Sequence, residues 1–146
     1  MIAVAFSHEA KLLILDEPTS GLDPVARDEF LDILRDYIED EEKSVIFSSH
    51  ITSDIEKIAD YITYINNGKI IFTGEKDEFL EKYCIIKGGK EDITESQKKE
   101  IIGLRIHSTG FEGLIELKKA VGFSSKVIIE KASLDEIMIY MNKEAM

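Results

Sequence analysis

Four consecutive aliphatic residues, Leu12-Leu13-Ile14-Leu15, stop abruptly at Asp16-Glu17-Pro18. A short continuous apolar run of this kind fits a strand covered on both faces, as in a parallel sheet. Pro18 cannot continue the strand's hydrogen-bond ladder, so the strand must end there. Asp23-Pro24 then reads as a helix start, with Asp23 as N-cap and Pro24 at the first helical position. Phe30, Ile33, Leu34, Tyr37 and Ile38 recur at helical spacing and make one apolar face. Residues 44–48, SVIFS, read as the next buried strand. Strand, helix, strand in this order predicts a βαβ unit with the two strands parallel.

This arrangement places chemistry at one edge. An aspartate ending a buried strand presents its carboxylate at the carboxyl edge of the sheet, where ligands bind in open α/β folds. Mg²⁺ takes one or two carboxylates plus phosphate oxygens and waters, which makes Asp16 a candidate metal ligand. Glu17, on the turn leaving the strand, could accept a proton from an attacking water. His50 follows the parallel strand at residues 44–48, so it should lie at the same edge as Asp16 and Glu17. By itself, Asp-Glu after four aliphatics is more commonly a solvated strand end. A generic turn, however, has no need of Pro18-Thr19-Ser20-Gly21-Leu22-Asp23-Pro24.

The run LLILDEPTSGLDP resembles the Walker B strand and D-loop of ABC-transporter nucleotide-binding domains. The resemblance implies that Asp16 coordinates Mg²⁺ at the β- and γ-phosphates of ATP and that Glu17 is the general base for water attack. It implies that Ser20, Gly21, Leu22 and Asp23 form the loop that contacts the facing subunit of a dimer. The family's H-loop histidine, which contacts the γ-phosphate, matches His50 in Ser48-Ser49-His50. The likeness continues through Asp54-Ile55-Glu56, the Asn67-Gly68-Lys69 turn and the region of Glu78, covering about the first 85 residues. The closing ASLDEIMIYMNKE is a shorter match to bacterial ABC exporter ATPases. The implied partners are a membrane permease and a second nucleotide-binding domain, and the implied cofactors are ATP and Mg²⁺.

Two of the family's hallmarks are not found in these 146 residues. A P-loop needs G-x-x-x-x-G-K-[ST], whose amides and lysine hold phosphates. Gly68-Lys69 and Gly89-Lys90 are followed by neither Ser nor Thr and have no glycine five residues earlier. No LSGGQ-like segment is present, and Ala10 stands where the family often has proline. The expectation is therefore a partial P-loop NTPase-like α/β fold: a parallel sheet with flanking helices, followed by a small α+β appendage. It would be the C-terminal part of an ATP-hydrolysing subunit, inactive by itself. The alternative is a non-enzymatic interaction or regulatory module derived from such an ATPase.

Charge and composition agree with this division. Residues 1–83 hold 19 acidic and 8 basic side chains, whereas residues 84–146 hold 10 of each, so the net charge of −11 lies entirely in the first stretch. Nucleic-acid phosphates would repel such a chain. The single cysteine, Cys84, excludes an intrachain disulfide and reads as a small apolar residue. No apolar run approaches the ~20 residues that span a bilayer. A cytoplasmic protein is expected, peripheral to the inner face of the membrane through the permease. Residues 1–7 read as the last turns of a helix, and His8 and His107 as structural. Residues 1–83 are expected as the ATPase part and 84–146 as an accessory domain. A hairpin is predicted at residues 61–73 around Asn66-Asn67-Gly68, with short helices at 52–59 and 75–82. Beyond it come a helix at 95–99, a strand at 101–107, a helix at 111–120, a strand at 126–130 and a capped helix at 133–142.

Overall fold

The structure, a computed structural model, describes residues 10–143; the helix end expected at residues 1–7, and His8, lie outside them. The chain forms two compact units that divide between Ala59 and Asp60.

In the first unit, β1 (Leu12–Leu15) and β2 (Ser44–Phe47) pair in parallel with Leu15 opposite Phe47, and α1 (Pro24–Ile38) and α2 (Thr52–Ile58) follow them. The βαβ order read from the sequence is therefore present. Burial differs from expectation. Leu13 is buried, but Leu12, Ile14 and Ile46 are exposed. Side chains alternate across a strand, so covering one face buries every second residue and leaves the others outward. The apolar face of α1 is also rotated: Phe30, Leu31 and Leu34 are buried, while Ile33 is half exposed. Lys57 of α2 is bonded to Asp28 of α1, which raises the lysine's pKa, and lies 3.4 Å from Asp32.

The second unit begins with an antiparallel hairpin, β3 (Tyr61–Asn66) and β4 (Lys69–Glu75). Its turn uses positive φ at both Asn67 (48°) and Gly68 (73°), the conformation for which Asn-Gly is suited. Next come α3 (Lys76–Lys82), β5 (Tyr83–Gly88), α4 (Glu95–Lys98), β6 (Ile102–Ile106), β7 (Phe111–Glu116), α5 (Leu117–Ala120), β8 (Ile128–Lys131) and α6 (Leu134–Lys143). An antiparallel sheet runs in the order β6-β7-β5-β8.

One expectation is corrected here. Residues 111–120 form a strand followed by one helical turn, not a helix. Phe111, Leu114 and Ile115 have helical spacing, but β7 is an interior strand covered on both faces, so its apolar residues need not alternate. Gly113 confirms the crowding, because a Cβ there would meet the Ile101 side chain at 2.2 Å. The residues after α3, to which the sequence assigns no element, begin with another interior strand, β5. Cys84, Ile86, Phe111 and Ile115 pack with Ile93, Ile101, Ala120 and Val127 in one core cluster. Cys84 is buried as the sequence suggests, and burial pushes its thiol pKa up. α6 is closed by the expected capping box: Ser133 Oγ accepts from the Glu136 amide, and Glu136 accepts from the Ser133 amide at 2.9 Å. His107 lies 3.7 Å from Glu112, which also takes Arg105 at 3.1 Å.

Candidate functional site

The parallel register determines what meets at the carboxyl edge of β1 and β2. With Leu15 opposite Phe47, the next residues on each chain are Asp16 and Ser48. The Ser48 amide donates to the Leu15 carbonyl at 3.0 Å, extending the ladder by one bond. Ser48 Oγ donates to Asp16 Oδ1 at 2.5 Å and accepts from the Glu17 amide at 2.9 Å. One hydroxyl thus holds both the aspartate's carboxyl group and the backbone of the next residue. Two residues further, His50 Nδ1 lies 2.8 Å from Glu17 Oε2. The edge therefore brings together Asp16, Glu17 and His50, the three residues singled out from the sequence. The His50 side chain is 71% exposed and that of Glu17 36%, so both are reachable from solvent.

Glu17 adopts φ of 44°, a left-handed conformation uncommon for a residue with a side chain. Such strain costs about 1–3 kcal/mol and persists where surrounding bonds over-determine it. Here the Ser48 hydroxyl takes the Glu17 amide, and the Ser20 amide donates to the Glu17 carbonyl at 3.1 Å. Beyond it the Leu22 amide bonds the Thr19 carbonyl at 3.2 Å, and Gly21 supplies φ of 80°. The turn ends at Asp23, whose Oδ1 accepts from the Val25 and Ala26 amides at 2.9 and 3.0 Å, capping α1 as expected. Asp23→Ala is expected to destabilise the first unit by about 1 kcal/mol, and Asp23→Asn by much less. Urea midpoints compared at equal slope check this.

Ser48 was quoted in the sequence reading only as part of a motif, and its role went unseen. The signal was available in the register, since a residue directly across a parallel ladder from the strand-end aspartate is a natural partner for it. The reading also missed the pair formed by Thr19 and Asp54, in which Thr19 Oγ1 donates to Asp54 Oδ2 at 2.7 Å. Ser20, Gly21 and Asp23 lie on the turn and at the helix cap, apart from the Asp16–Ser48 contact.

The donor set suits a hard cation shared with phosphate. Among the described residues no three His, Cys, Asp or Glu side chains converge as a metal cage. Mg²⁺ does not need one, because it is bound through one or two carboxylates together with substrate phosphates and waters. An exposed aspartate whose orientation is held by Ser48 fits that requirement.

A parallel strand–helix–strand edge with Asp-Glu on one strand and a histidine after the other defines the class: an α/β fold with its polar groups gathered at the carboxyl edge of the sheet. Comparison with known proteins agrees. Residues 1–53 match the family profile described as "AAA domain, putative AbiEii toxin, Type IV TA system". The lantibiotic transport ATP-binding protein SrtF of Streptococcus pyogenes is 45% identical over 76 residues, 52% of this chain and 33% of that protein. The energy-coupling factor transporter ATP-binding protein EcfA2 of Clostridioides difficile (strain 630) is 32% identical over 131 residues, 87% of this chain and 44% of that protein. The bacitracin transport ATP-binding protein BcrA of Bacillus licheniformis is 27% identical over 152 residues, 99% of this chain and 49% of that protein. A solved ABC transporter in an inward-facing conformation is similar at TM-score 0.50 and 26% identity, over 82% of this chain and 46% of that one. These relatives are ABC-transporter ATP-binding proteins, and together with the solved ABC transporter they support the likeness to the C-terminal part of a nucleotide-binding domain. The chain spans between a third and a half of the length of these curated relatives.

Proposed function

We propose that this chain supplies the metal, base and dimer-contact half of an ATP-hydrolysing site in an ABC transporter. The observation that carries the proposal is the contact between His50 Nδ1 and Glu17 Oε2 at 2.8 Å, beside an aspartate held by Ser48. Mg²⁺, when bound, would draw charge from the β- and γ-phosphate oxygens of ATP. Asp16 would hold it through the carboxyl group whose Oδ1 Ser48 orients. Glu17 would take the proton of the attacking water. Its strained backbone and its bond to His50 limit where that carboxyl group can sit. With Nδ1 engaged by Glu17, Nε2 would be the nitrogen that meets a phosphate oxygen, donating to it when the imidazole carries both protons. Ser20, Gly21, Leu22 and Asp23 would face a second nucleotide-binding domain. A permease would tether the protein to the inner face of the membrane. No helix among the described residues is itself long and apolar enough to cross one.

Phosphate binding normally supplies most of the affinity for a nucleotide, and these side chains include no P-loop. The 146-residue chain alone is therefore expected to bind Mg-ATP more weakly than about 1 mM. Joining it to the phosphate-binding segment of a relative should bring micromolar binding and turnover. Calorimetry settles the first point: micromolar affinity of the chain alone would overturn this reading. A joined protein that binds ATP without hydrolysing it would favour the non-enzymatic module instead.

A further inference from the structure

Among the described residues, the buried polar side chains are Thr19 and Asp54, at 0% and 2% exposure. They bond each other at 2.7 Å. Thr19 belongs to the turn that leaves β1, two residues after Glu17. Asp54 lies in the first turn of α2, four residues after His50. A buried polar pair contributes little net stability compared with an apolar pair of the same shape, whereas leaving one partner unsatisfied is costly. The bond is directional, and it connects the two segments that carry the Glu17 and His50 side chains. Around it the turn is held at its start by the Ser48 hydroxyl on the Glu17 amide and along its length by the Ser20 and Leu22 amide bonds, with Glu17 and Gly21 left-handed.

We infer that Asp54 is a positioning residue: through the Thr19 hydroxyl it fixes the turn behind Glu17 and so keeps Glu17 in register with His50. The inference rests on the hydrolytic reading of Glu17. Its mechanical part is independent of turnover, because the contact between Glu17 and His50 can be observed without nucleotide. The tether also gives the D-loop a connection to the His50 segment that bypasses β1 and β2, so displacement of Ser20–Leu22 by a facing subunit would be felt at α2.

The test uses the 146-residue chain and NMR, reading amide exchange together with the ¹⁵N resonances of the His50 imidazole. Thr19→Val and Asp54→Ala each remove one half of the bond. Asp54→Asn keeps an oxygen that can accept from the threonine hydroxyl. Protection of the Ser20 and Leu22 amides is expected to fall about tenfold in the first two variants, the worth of one hydrogen bond. The His50 nitrogens should move toward the averaged values of a free imidazole. The double variant Thr19→Val/Asp54→Ala should lose no more than the worse single variant, and Asp54→Asn should stay near the parent. Exchange at Phe30, Leu31 and Leu34 reports folding of the unit and should not change. Unaltered exchange at Ser20 and Leu22 would overturn the inference, as would unaltered His50 resonances in both disrupting variants. Uniform loss that includes Phe30–Leu34 in all three single variants would also overturn it, by making the pair a folding element only. Absence of ATP hydrolysis in a joined protein would defeat the functional reading and leave these measurements to decide the tether.

Discussion

Glutamine at position 17, in a protein that joins this chain to a relative's phosphate-binding segment, is expected to reduce ATP turnover by about 10²–10⁴-fold. The substitution keeps the shape of the side chain and an oxygen that can still meet His50, but it removes the proton acceptor. The left-handed backbone at this position is retained, since glutamine tolerates φ of 44° no worse than glutamate does. Because the lost interaction belongs to the reaction step and not to nucleotide binding, kcat should fall while the KM for ATP stays nearly constant. Steady-state phosphate release checks both quantities. Turnover that survives unchanged would remove Glu17 from the role of base. A rise in KM alone would instead make it a binding residue.

The largest expected effect on stability is elsewhere. Phe79 of α3 has no exposed surface. Its ring lies 4.6 Å from that of Phe72, 5.5 Å from that of Tyr83 and 6.2 Å from that of Tyr64. It therefore fills the space between the hairpin, α3 and the start of β5. Phe79→Ala should destabilise the second unit by about 3–5 kcal/mol, from lost burial together with the cavity left by the ring. Phe79→Leu, which keeps much of the volume, should cost less. Urea unfolding followed by circular dichroism measures both variants, and a loss below about 1 kcal/mol for alanine would show that the neighbouring rings close the gap.

The features legible in the sequence are those written in local chemistry. Asn67-Gly68 announced its hairpin because few residues accept positive φ. Asp23-Pro24 and Ser133 with Glu136 announced helix starts through groups that satisfy free amides. The parallel pairing of β1 with β2 followed from the order of elements, and with it the meeting of Asp16, Glu17 and His50. Long-range packing was not legible. Phe111, Leu114 and Ile115 have the spacing of a helical face, and only the strands on either side of β7 make a strand of them. Ile33 and Leu31 are equally apolar, and the sequence could not say which of them α1 turns inward. Ser48 and Asp54 escaped notice for a related reason. Each acts on a partner more than thirty positions away, and neither residue type is unusual where it stands.

The pairing of Leu15 with Phe47 has a consequence for how this region tolerates changes of length. Residues 39–43 connect α1 to β2 over the surface, and such connections absorb insertions at little thermodynamic cost. One residue added inside β2 is a different matter. It would slide the strand by one position and turn every following side chain to the opposite face. Ser48 would then point away from Asp16, and the segment bearing His50 would be displaced from Glu17. A single inserted codon in β2 should therefore do more harm to the site than most substitutions within it, while the same codon a few positions earlier should pass almost unnoticed.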